Sequence, residues 1–188
     1  VKNKLFERYK KLLEWTEIFM LNKAFTNFKG TSLNFAILFP MERIFEDYIS
    51  FLFSKYAYGY KVKSQDQSYF LVERHIDGGK FRLRPDLYLK NGDTERIVID
   101  MKWKLLNQSA YRKNYNIGQA DMYQLYAYGK KYCEGDSQPK LALVYPKNKD
   151  FEDKLEPFIY EGDLVLEVFP FDFEEDAETQ INGILAAL

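Results

Sequence analysis

The sequence contains one cysteine and one histidine in 188 residues, and it has no apolar run long enough to span a bilayer. The lone cysteine, Cys133, excludes an internal disulfide framework and is typical of a protein in a reducing compartment. The lone histidine, His75, has no serine or cysteine nucleophile nearby and no second ligand at metal spacing, which excludes most catalytic triads and zinc sites. We therefore expect a soluble cytoplasmic protein with no membrane association.

A strong charge of either sign is also missing. The chain has 27 Lys and Arg against 28 Asp and Glu, a net charge of -1. A tight, autonomous nucleic-acid binder would carry a positive field, so any affinity for DNA must come from local patches or from a partner.

The length fits one domain with a sizeable core. We predict a single domain over residues 1–188, in which residues 1–30 form a helical N-terminal extension. The chain begins at Val1 without an initiator methionine, and we expect it to be the C-terminal fragment of a longer protein.

Two runs, residues 82–89 and 97–104, alternate polar and apolar residues with the period of a half-buried strand. The first run places on one face Arg82, Arg84, Asp86 and Tyr88, and on the other Leu83, Leu87 and Leu89. The second places on one face Asp100, Lys102 and Lys104, and in the core Ile99, Met101, Trp103 and Leu105. Two carboxylates and a lysine should therefore meet on one wall of the sheet.

The connection between these strands sets their register. A tight turn at Asn91-Gly92 would pair the polar face of one strand with the apolar face of the other. A longer loop centred near Asp93 avoids this conflict and brings Asp86 opposite Asp100, with the Cβ atoms roughly 5 Å apart. At that distance both carboxylates can reach one divalent cation.

Hydrolysis of a phosphodiester with Mg²⁺ needs acidic oxygen ligands, a cation beside the attacking water or the developing charge, and groups that hold the backbone. Asp86, Asp100 and the backbone carbonyl of Met101 could be the ligands. Lys102 could orient or deprotonate water or stabilise the charge, and Lys104 could hold a phosphate. The alternative without a function is an exposed sheet face whose acids and lysines only pair with one another. Each such pair would contribute about 0–1 kcal/mol to the stability of the fold.

Other elements of the chain complete an α/β pattern. A helix is predicted from Pro40 to about Tyr56, with Glu46 at the edge of the buried stripe, where its carboxylate could reach the metal site. The stripe itself comprises Ile44, Phe45, Tyr48, Ile49 and Leu52. Further helices are predicted at residues 4–28, 121–132 and 174–188, and further strands at residues 69–73, 140–145 and 164–168.

A polar loop over residues 107–118 interleaves basic and aromatic residues, among them Arg112 and Lys113. Such a loop is most often plain surface, but next to an acidic wall it could also contact a phosphate backbone. In the helix that follows, Gln124 and Tyr128 lie one turn apart on the same face.

The order of these motifs resembles that of the PD-(D/E)xK nuclease superfamily, and Gln124 to Tyr128 looks like the extra motif of its RecB-like branch. More narrowly, four segments are together similar to McrC, the nuclease subunit of McrBC-type modification-dependent restriction systems. These segments cover residues 41–48, 83–87, 99–104 and 121–128, within a resemblance that runs from about Pro40 to Tyr145. The chain departs from the commoner family pattern at Met101 and Trp103, which point away from the catalytic face.

This resemblance implies a restriction-endonuclease-like fold, with a central mixed β-sheet flanked by helices, and a Mg²⁺-dependent DNA endonuclease in which Mn²⁺ can substitute. It further implies a complex in which an AAA+ GTPase motor, similar to McrB, recognises modified DNA and translocates it. The implied metal ligands are Asp86 and Asp100, with Glu46 as an additional one, and Lys102 is the implied catalytic lysine. Gln124 and Tyr128 would organise the site or contact the DNA backbone.

DNA-contacting residues are expected at Lys104, Arg84, Arg112 and Lys113. Dimerisation of nuclease domains is a further expectation, because a double-strand break needs two such domains if each cuts one strand. Two alternatives stay open at this point. One is a RecB-like nuclease of DNA repair or of another defence system, and the other is a non-catalytic DNA-binding scaffold that keeps the nuclease fold.

Overall fold

A computed structural model describes residues 39–92, 95–133 and 140–188 of the chain. The chain divides into two compact units, Val1–Phe39 and Pro40–Leu188. The helix predicted at residues 4–28 and the extension predicted at residues 1–30 lie outside the described residues, as does the loop centre at Asp93.

The second unit carries all of the described elements. Its helices are α1 (Met41–Tyr56), α2 (Gln119–Tyr132) and α3 (Ala177–Ala187), with a 3₁₀ segment at Tyr111–Asn116. Its strands are β1 (Lys61–Ser64), β2 (Phe70–His75), β3 (Gly78–Arg82), β4 (Leu87–Asn91), β5 (Glu95–Met101), β6 (Lys140–Pro146), β7 (Phe158–Ile159) and β8 (Val165–Phe171). The predicted helices near residues 40–56, 121–132 and 174–188 are therefore confirmed to within a few residues.

Six of the strands form one mixed sheet in the order β1-β4-β5-β6-β8-β7. The pairs β5 with β6 and β6 with β8 are parallel, whereas β1 with β4, β4 with β5 and β7 with β8 are antiparallel. Helix α2 packs on one face of this sheet, and α1 and α3 pack on the other. The prediction of an α/β fold with a central mixed sheet flanked by helices is confirmed.

Strands β5 and β6 lie at the centre of the sheet and are buried on both faces. Val98 belongs to the core beneath α2, while Ile97, Ile99 and Met101 belong to the core beneath α1 and α3. Near-continuous apolar runs are the sequence pattern of such doubly covered strands. Among the described residues of β5, one charged side chain is buried, that of Asp100, which is 1% exposed.

The register predicted for the central hairpin is confirmed. Leu87 pairs with Ile99 and Asn91 with Glu95, so the next position outward sets Asp86 against Asp100. The single strand predicted over residues 82–89 is wrong, because β3 ends at Arg82 and β4 begins at Leu87. Pro85 lacks the N–H group that a continuous ladder would need, and the chain between the two strands runs as an extended connector.

Two details of side-chain placement also differ from the predictions. Leu83 packs in the same core as Tyr88, not with Leu87, because it lies in the connector and not in β4. Leu105 is exposed, since β5 ends at Met101 and the alternation ends with it.

The buried stripe of α1 is rotated from the predicted one. It consists of Phe45, Ile49, Leu52 and Phe53, while Ile44 and Tyr48 are largely exposed. Ile49 follows Phe45 by one helical turn, and Leu52 and Phe53 follow it by about two turns, so these residues share the face that packs on the sheet. Tyr48 is instead stacked with Phe173.

Strands β1 and β7 were not predicted. Both are short edge strands: β1 carries two lysines and no regular alternation, and β7 has two residues. Each adds only one partly buried apolar side chain to a core, Val62 from β1 and Phe158 from β7, so periodicity in the sequence does not reveal them. Cys133, at the end of α2, is buried as small core filling, as predicted.

Two helix glycines provide a matched test of this packing. A Cβ on Gly129 of α2 would lie 2.6 Å and 2.8 Å from the two terminal carbons of Leu164, whereas a Cβ on Gly183 of α3 would meet no atom within 4 Å. We expect Gly129→Ala to destabilise the fold by about 1–3 kcal/mol, because overpacking outweighs the better helix propensity of alanine. Gly183→Ala should stabilise it by up to about 1 kcal/mol. Urea denaturation of both variants measures the difference, and equal midpoints would show that α2 does not pack closely on Leu164.

Candidate active site

Two carboxylates meet where β4 begins and β5 ends. Asp100 is the penultimate residue of β5, and Asp86 lies in the connector directly before β4. The backbone N–H of Met101 donates a hydrogen bond of 2.8 Å to Asp86 Oδ2, which fixes that carboxyl against the neighbouring strand. The geometry follows from the hairpin register, since both acids occupy opposed positions on the α2 face of the sheet.

Burial dominates the electrostatics of this pair. Burial, and then the nearby charge of Asp100, raise the pKa of Asp86 to about 8. Burial also raises the pKa of Asp100, although Lys102 opposes that shift. Two neighbouring carboxyls, one buried and one partly buried, cannot both ionise readily near neutral pH without a positive group beside them. The raised pKa values of the two acids therefore follow from burial and from their proximity to each other.

Lys102 supplies one positive charge. Its Nζ lies 2.7 Å from Asp100 Oδ2, and this oxygen accepts no hydrogen bond of good geometry from the residues that the structure describes. Burial lowers the pKa of Lys102, but the Asp100 carboxylate outweighs it, so the pKa lies above its usual value. Lys102 is therefore a cation at neutral pH and not a free amine.

Gln124 and Tyr128 of α2 connect the end of β5 to the connector that carries Asp86. Gln124 Oε1 lies 3.4 Å from Lys102 Nζ, and Gln124 Nε2 donates to the Tyr128 hydroxyl at 2.7 Å. That hydroxyl in turn donates to the carbonyl of Arg84 at 2.9 Å. The chain of contacts ends two residues before Asp86, so the Gln-x-x-x-Tyr pair holds Lys102 and Asp86 in a fixed relation.

Glu46 of α1 stands further out. It is partly exposed, and burial raises its pKa although the Lys102 ammonium opposes that shift. Within residues 39–92, 95–133 and 140–188 no three acidic, histidine or cysteine side chains stand close enough to form a metal cluster. Glu46 and Asp86 instead line a cavity of about 330 Å³, which also borders on Asp47, Ser50, Phe51, Ser54, Ser64 and Gln65.

A second buried acid, Asp121, was not predicted from the sequence. It is 8% exposed, and Lys104 Nζ lies 2.9 Å from its Oδ2 atom. A Cβ on Gly118 would lie only 2.7 Å from that oxygen, so the bare glycine backbone makes room for the pair. An acid in the first turn of a helix is usually a response to the helix dipole, and nothing in the sequence pattern indicates that this one is buried. Lys104 is thus already paired, which reduces its availability for a phosphate.

Gln65 is another site residue that the sequence did not reveal. Its backbone N–H donates to the carbonyl of Asp86 at 2.9 Å, and its side-chain oxygen accepts from the Arg84 guanidinium. Its φ of 50° lies in the left-handed region, which non-glycine residues rarely adopt and which clusters at functional sites. Only the pairing of β1 with β4 brings Gln65 here, and that pairing is not visible in the sequence.

Arg112 and Lys113 do not reach the carboxylate pair through any described contact. Both are exposed in the 3₁₀ segment, where the Arg112 guanidinium lies 5.6 Å from the centre of the Tyr111 ring. Three consecutive residues there, Asn114 to Asn116, have positive φ. The structure thus gathers the two aspartates, Lys102, Gln124 and Tyr128, and places the basic loop outside that group.

Comparisons with known proteins place this site in context. The model of the family "McrBC 5-methylcytosine restriction system component" matches residues 1–146. A search of curated proteins finds no match. None of the described helices is both long and apolar enough to cross a membrane.

The fold is similar to a chain in the half-complex from the tetradecameric assembly of Thermococcus gammatolerans McrB AAA+ hexamers with bound McrC. The TM-score is 0.64 at 15% sequence identity, and the match covers 98% of this chain but 39% of that one. At this identity the likeness concerns the fold alone, and this chain corresponds to well under half of the matched chain. Because the family model covers most of the sequence, the chain belongs to the family of McrBC 5-methylcytosine restriction system components.

Proposed function

We propose that this chain is the DNA-cleaving subunit of a McrBC-like restriction complex, a Mg²⁺-dependent endonuclease with a PD-(D/E)xK active site. The observation that carries the proposal is the set of Asp86, Asp100 and Lys102 at the opposed ends of β4 and β5, with Lys102 Nζ 2.7 Å from Asp100. An exposed face of acids and lysines that only pair with one another would not need to bury Asp100 to 1% exposure.

The donor set fits a hard divalent cation. Asp86 and Asp100 offer carboxylate oxygens. The pKa of each acid is raised, as expected for neighbouring carboxyls that would be stabilised in their ionised form by a bound cation. These two residues would hold Mg²⁺ or Mn²⁺, with the Met101 carbonyl and Glu46 as the further ligands that we propose. When bound, the cation would activate water and neutralise charge on the phosphate.

The protein's own residues then have distinct roles. Lys102, a partly buried cation, would stabilise the negative charge that develops on the phosphate during hydrolysis, an effect that is strong where water is excluded. Gln124 and Tyr128 would keep Lys102 and the Asp86 connector in register. Arg84 would contact the DNA backbone, as would Lys104 if a phosphate draws it away from Asp121.

The partner that we propose is an AAA+ GTPase similar to McrB, which would recognise modified DNA and deliver it. Membership of the McrBC family favours this complex over a RecB-like repair nuclease. The net charge of -1 agrees with such a division of labour, because a cutter that a motor brings to DNA needs little affinity of its own. Dimerisation of two such chains would allow both strands to be cut, and the cytoplasm is the compartment where DNA would be met.

The first test removes the two proposed charges one at a time. Asp100→Asn and Lys102→Ala should each lower the rate of plasmid cleavage in Mg²⁺ by about 100-fold or more, because each removes a charge that the transition state needs. The assay uses methylated and unmethylated plasmid with the AAA+ protein of the same operon present. Asp153→Asn and Lys149→Ala, which are exposed and make none of the contacts described for the pair, are the matched controls and should cut normally. Full activity of Lys102→Ala would contradict the proposal.

A second test uses the electrostatics of the pair. Because the folded-state pKa of Asp86 is about 8, well above its ordinary value, the folded protein holds a proton that the unfolded chain releases. Without metal, stability should therefore fall as the pH rises from about 4 towards 8. Asp86→Asn should flatten this dependence and be more stable than the wild type near pH 8.

Melting temperatures between about pH 5 and pH 8, in EDTA and in Mg²⁺, measure both effects. Mg²⁺ should raise the melting temperature of the wild type at pH 8 and should raise that of Asp86→Asn much less. Parallel pH profiles for the two proteins, with the same response to Mg²⁺, would exclude Asp86 as a ligand.

A further inference from the structure

Strands β2 and β3 form a hairpin that pairs with no other strand of the described ranges. Every residue of these two strands is exposed or only partly buried. A two-stranded hairpin alone is marginally stable in water, and this one is supported on α2 through the ion pair of Glu73 with Lys131, while most of its other side chains face the solvent. The hairpin, which we call the arm, is therefore a candidate for binding.

The arm exposes apolar side chains that the core does not need. Ile76 in the turn is 88% exposed, Phe81 in β3 is 74% exposed and Leu71 in β2 is 48% exposed. Phe81 also has a φ of 54°, in the left-handed region that is unusual for an aromatic residue. Strained and exposed aromatic residues are typical of contact surfaces.

The arm also carries cations, in contrast to the net charge of the chain. Its basic residues are Arg74, Lys80 and Arg82, and its acids are Glu73 and Asp77. Glu73 is engaged by Lys131 of α2 at 2.5 Å, and Asp77 lies 3.8 Å from Lys80 in a pair so exposed that it stabilises little. The arm therefore presents positive charge to the solvent.

One of these cations is held in place. The Arg82 guanidinium lies 4.7 Å from the centre of the Phe70 ring on the same face of the arm. A stacked guanidinium keeps its hydrogen-bond donors free at its edges, which is the geometry that phosphate recognition uses.

The arm is fixed relative to the carboxylate pair. Arg82 ends β3 only four residues before Asp86, and the connector between them is held at both ends. The N–H of Leu83 donates to the carbonyl of Tyr69 at 3.0 Å, and Tyr128 donates to the carbonyl of Arg84. At about 3.3 Å per residue, the five residues of β3 extend roughly 16 Å, which is about half a helical turn of B-DNA.

We infer that the arm is a DNA-binding β-ribbon that enters the major groove beside the bond that is cut. The major groove accommodates a two-stranded ribbon, and this one would place Arg74, Lys80 and Arg82 towards the phosphates and Ile76 and Phe81 towards the base edges. This inference rests on the proposed nuclease function. A protein partner would also cover apolar residues, but a cluster of cations next to a phosphodiester site favours DNA.

The test measures binding of the full-length protein to a short fluorescein-labelled duplex, by fluorescence anisotropy over a range of KCl concentrations, with Ca²⁺ in place of Mg²⁺. The triple variant Arg74→Gln, Lys80→Gln, Arg82→Gln should bind roughly tenfold or more weakly at low salt. The slope of log affinity against log salt should fall by about 0.9 for each phosphate that the variant no longer neutralises. The matched control changes Lys55, Lys61 and Lys149 to Gln, which removes the same charge elsewhere on the surface, and should change neither quantity.

The apolar side chains are tested separately with Ile76→Ser, for which Ile159→Ser is the matched control, because Ile159 is a similarly exposed isoleucine on the edge strand β7. Ile76→Ser should weaken binding and leave the salt slope unchanged, while Ile159→Ser should do neither. All of these side chains are exposed, so the variants should keep the melting temperature of the wild type.

The outcomes separate this inference from the proposed function. If the wild type binds and cuts DNA while the triple variant binds with the same affinity and salt slope, the inference is wrong and the nuclease proposal stands. If the triple variant binds DNA normally but is no longer stimulated by the AAA+ protein, the arm contacts a protein, and the inference is again wrong. If the wild type neither binds nor cuts DNA with the AAA+ protein present, the nuclease proposal itself fails.

Discussion

The burial of one carboxylate determines how this domain is arranged. Asp100 lies near the end of a strand that is covered by helices on both faces, and an isolated charge there would cost several kcal/mol. Lys102, two residues further along, lies beside it, and Asp86, in the connector before β4, shares its environment. An apolar residue of similar size at this position would cost the fold no stability. Packing therefore does not explain why the position is occupied by an acid.

That cost requires a rigid surrounding, and α2 supplies it. The Tyr128 hydroxyl holds the carbonyl of Arg84, and Gln124 lies between Tyr128 and Lys102. Asp121, in the first turn of the same helix, pairs with Lys104. One helix therefore touches both the segment that carries Asp100 and the connector that carries Asp86. A helix that moved by one residue would break all of these interactions together, so the position of α2 and the geometry of the site depend on each other.

The sequence predicted correctly those features that depend on residues close together in the chain. Alternation and turn type were enough to set Asp86 against Asp100, because a slip of one residue would have exchanged the two faces of the hairpin. It did not predict the positions of side chains that depend on contacts between distant parts of the chain. Gln65 reaches Asp86 only through the pairing of β1 with β4, and Asp121 is buried only because Gly118 and Lys104 lie over it. The break at Pro85 shows the same limit, because a proline in an alternating run can end a strand or merely mark its edge.

The electrostatics of the site also bear on how DNA could approach it. Asp100 and Lys102 form an ion pair, so Lys102 has little positive charge left to attract a phosphate. Lys104 is likewise paired, with Asp121. Positive charge that remains open to a phosphate must therefore lie outside the wall, and the arm four residues before Asp86 is where the described surface concentrates cations next to it. Under the proposed function the two acids would hold a metal ion, so the DNA backbone would have to be held by other groups, such as the cations of the arm.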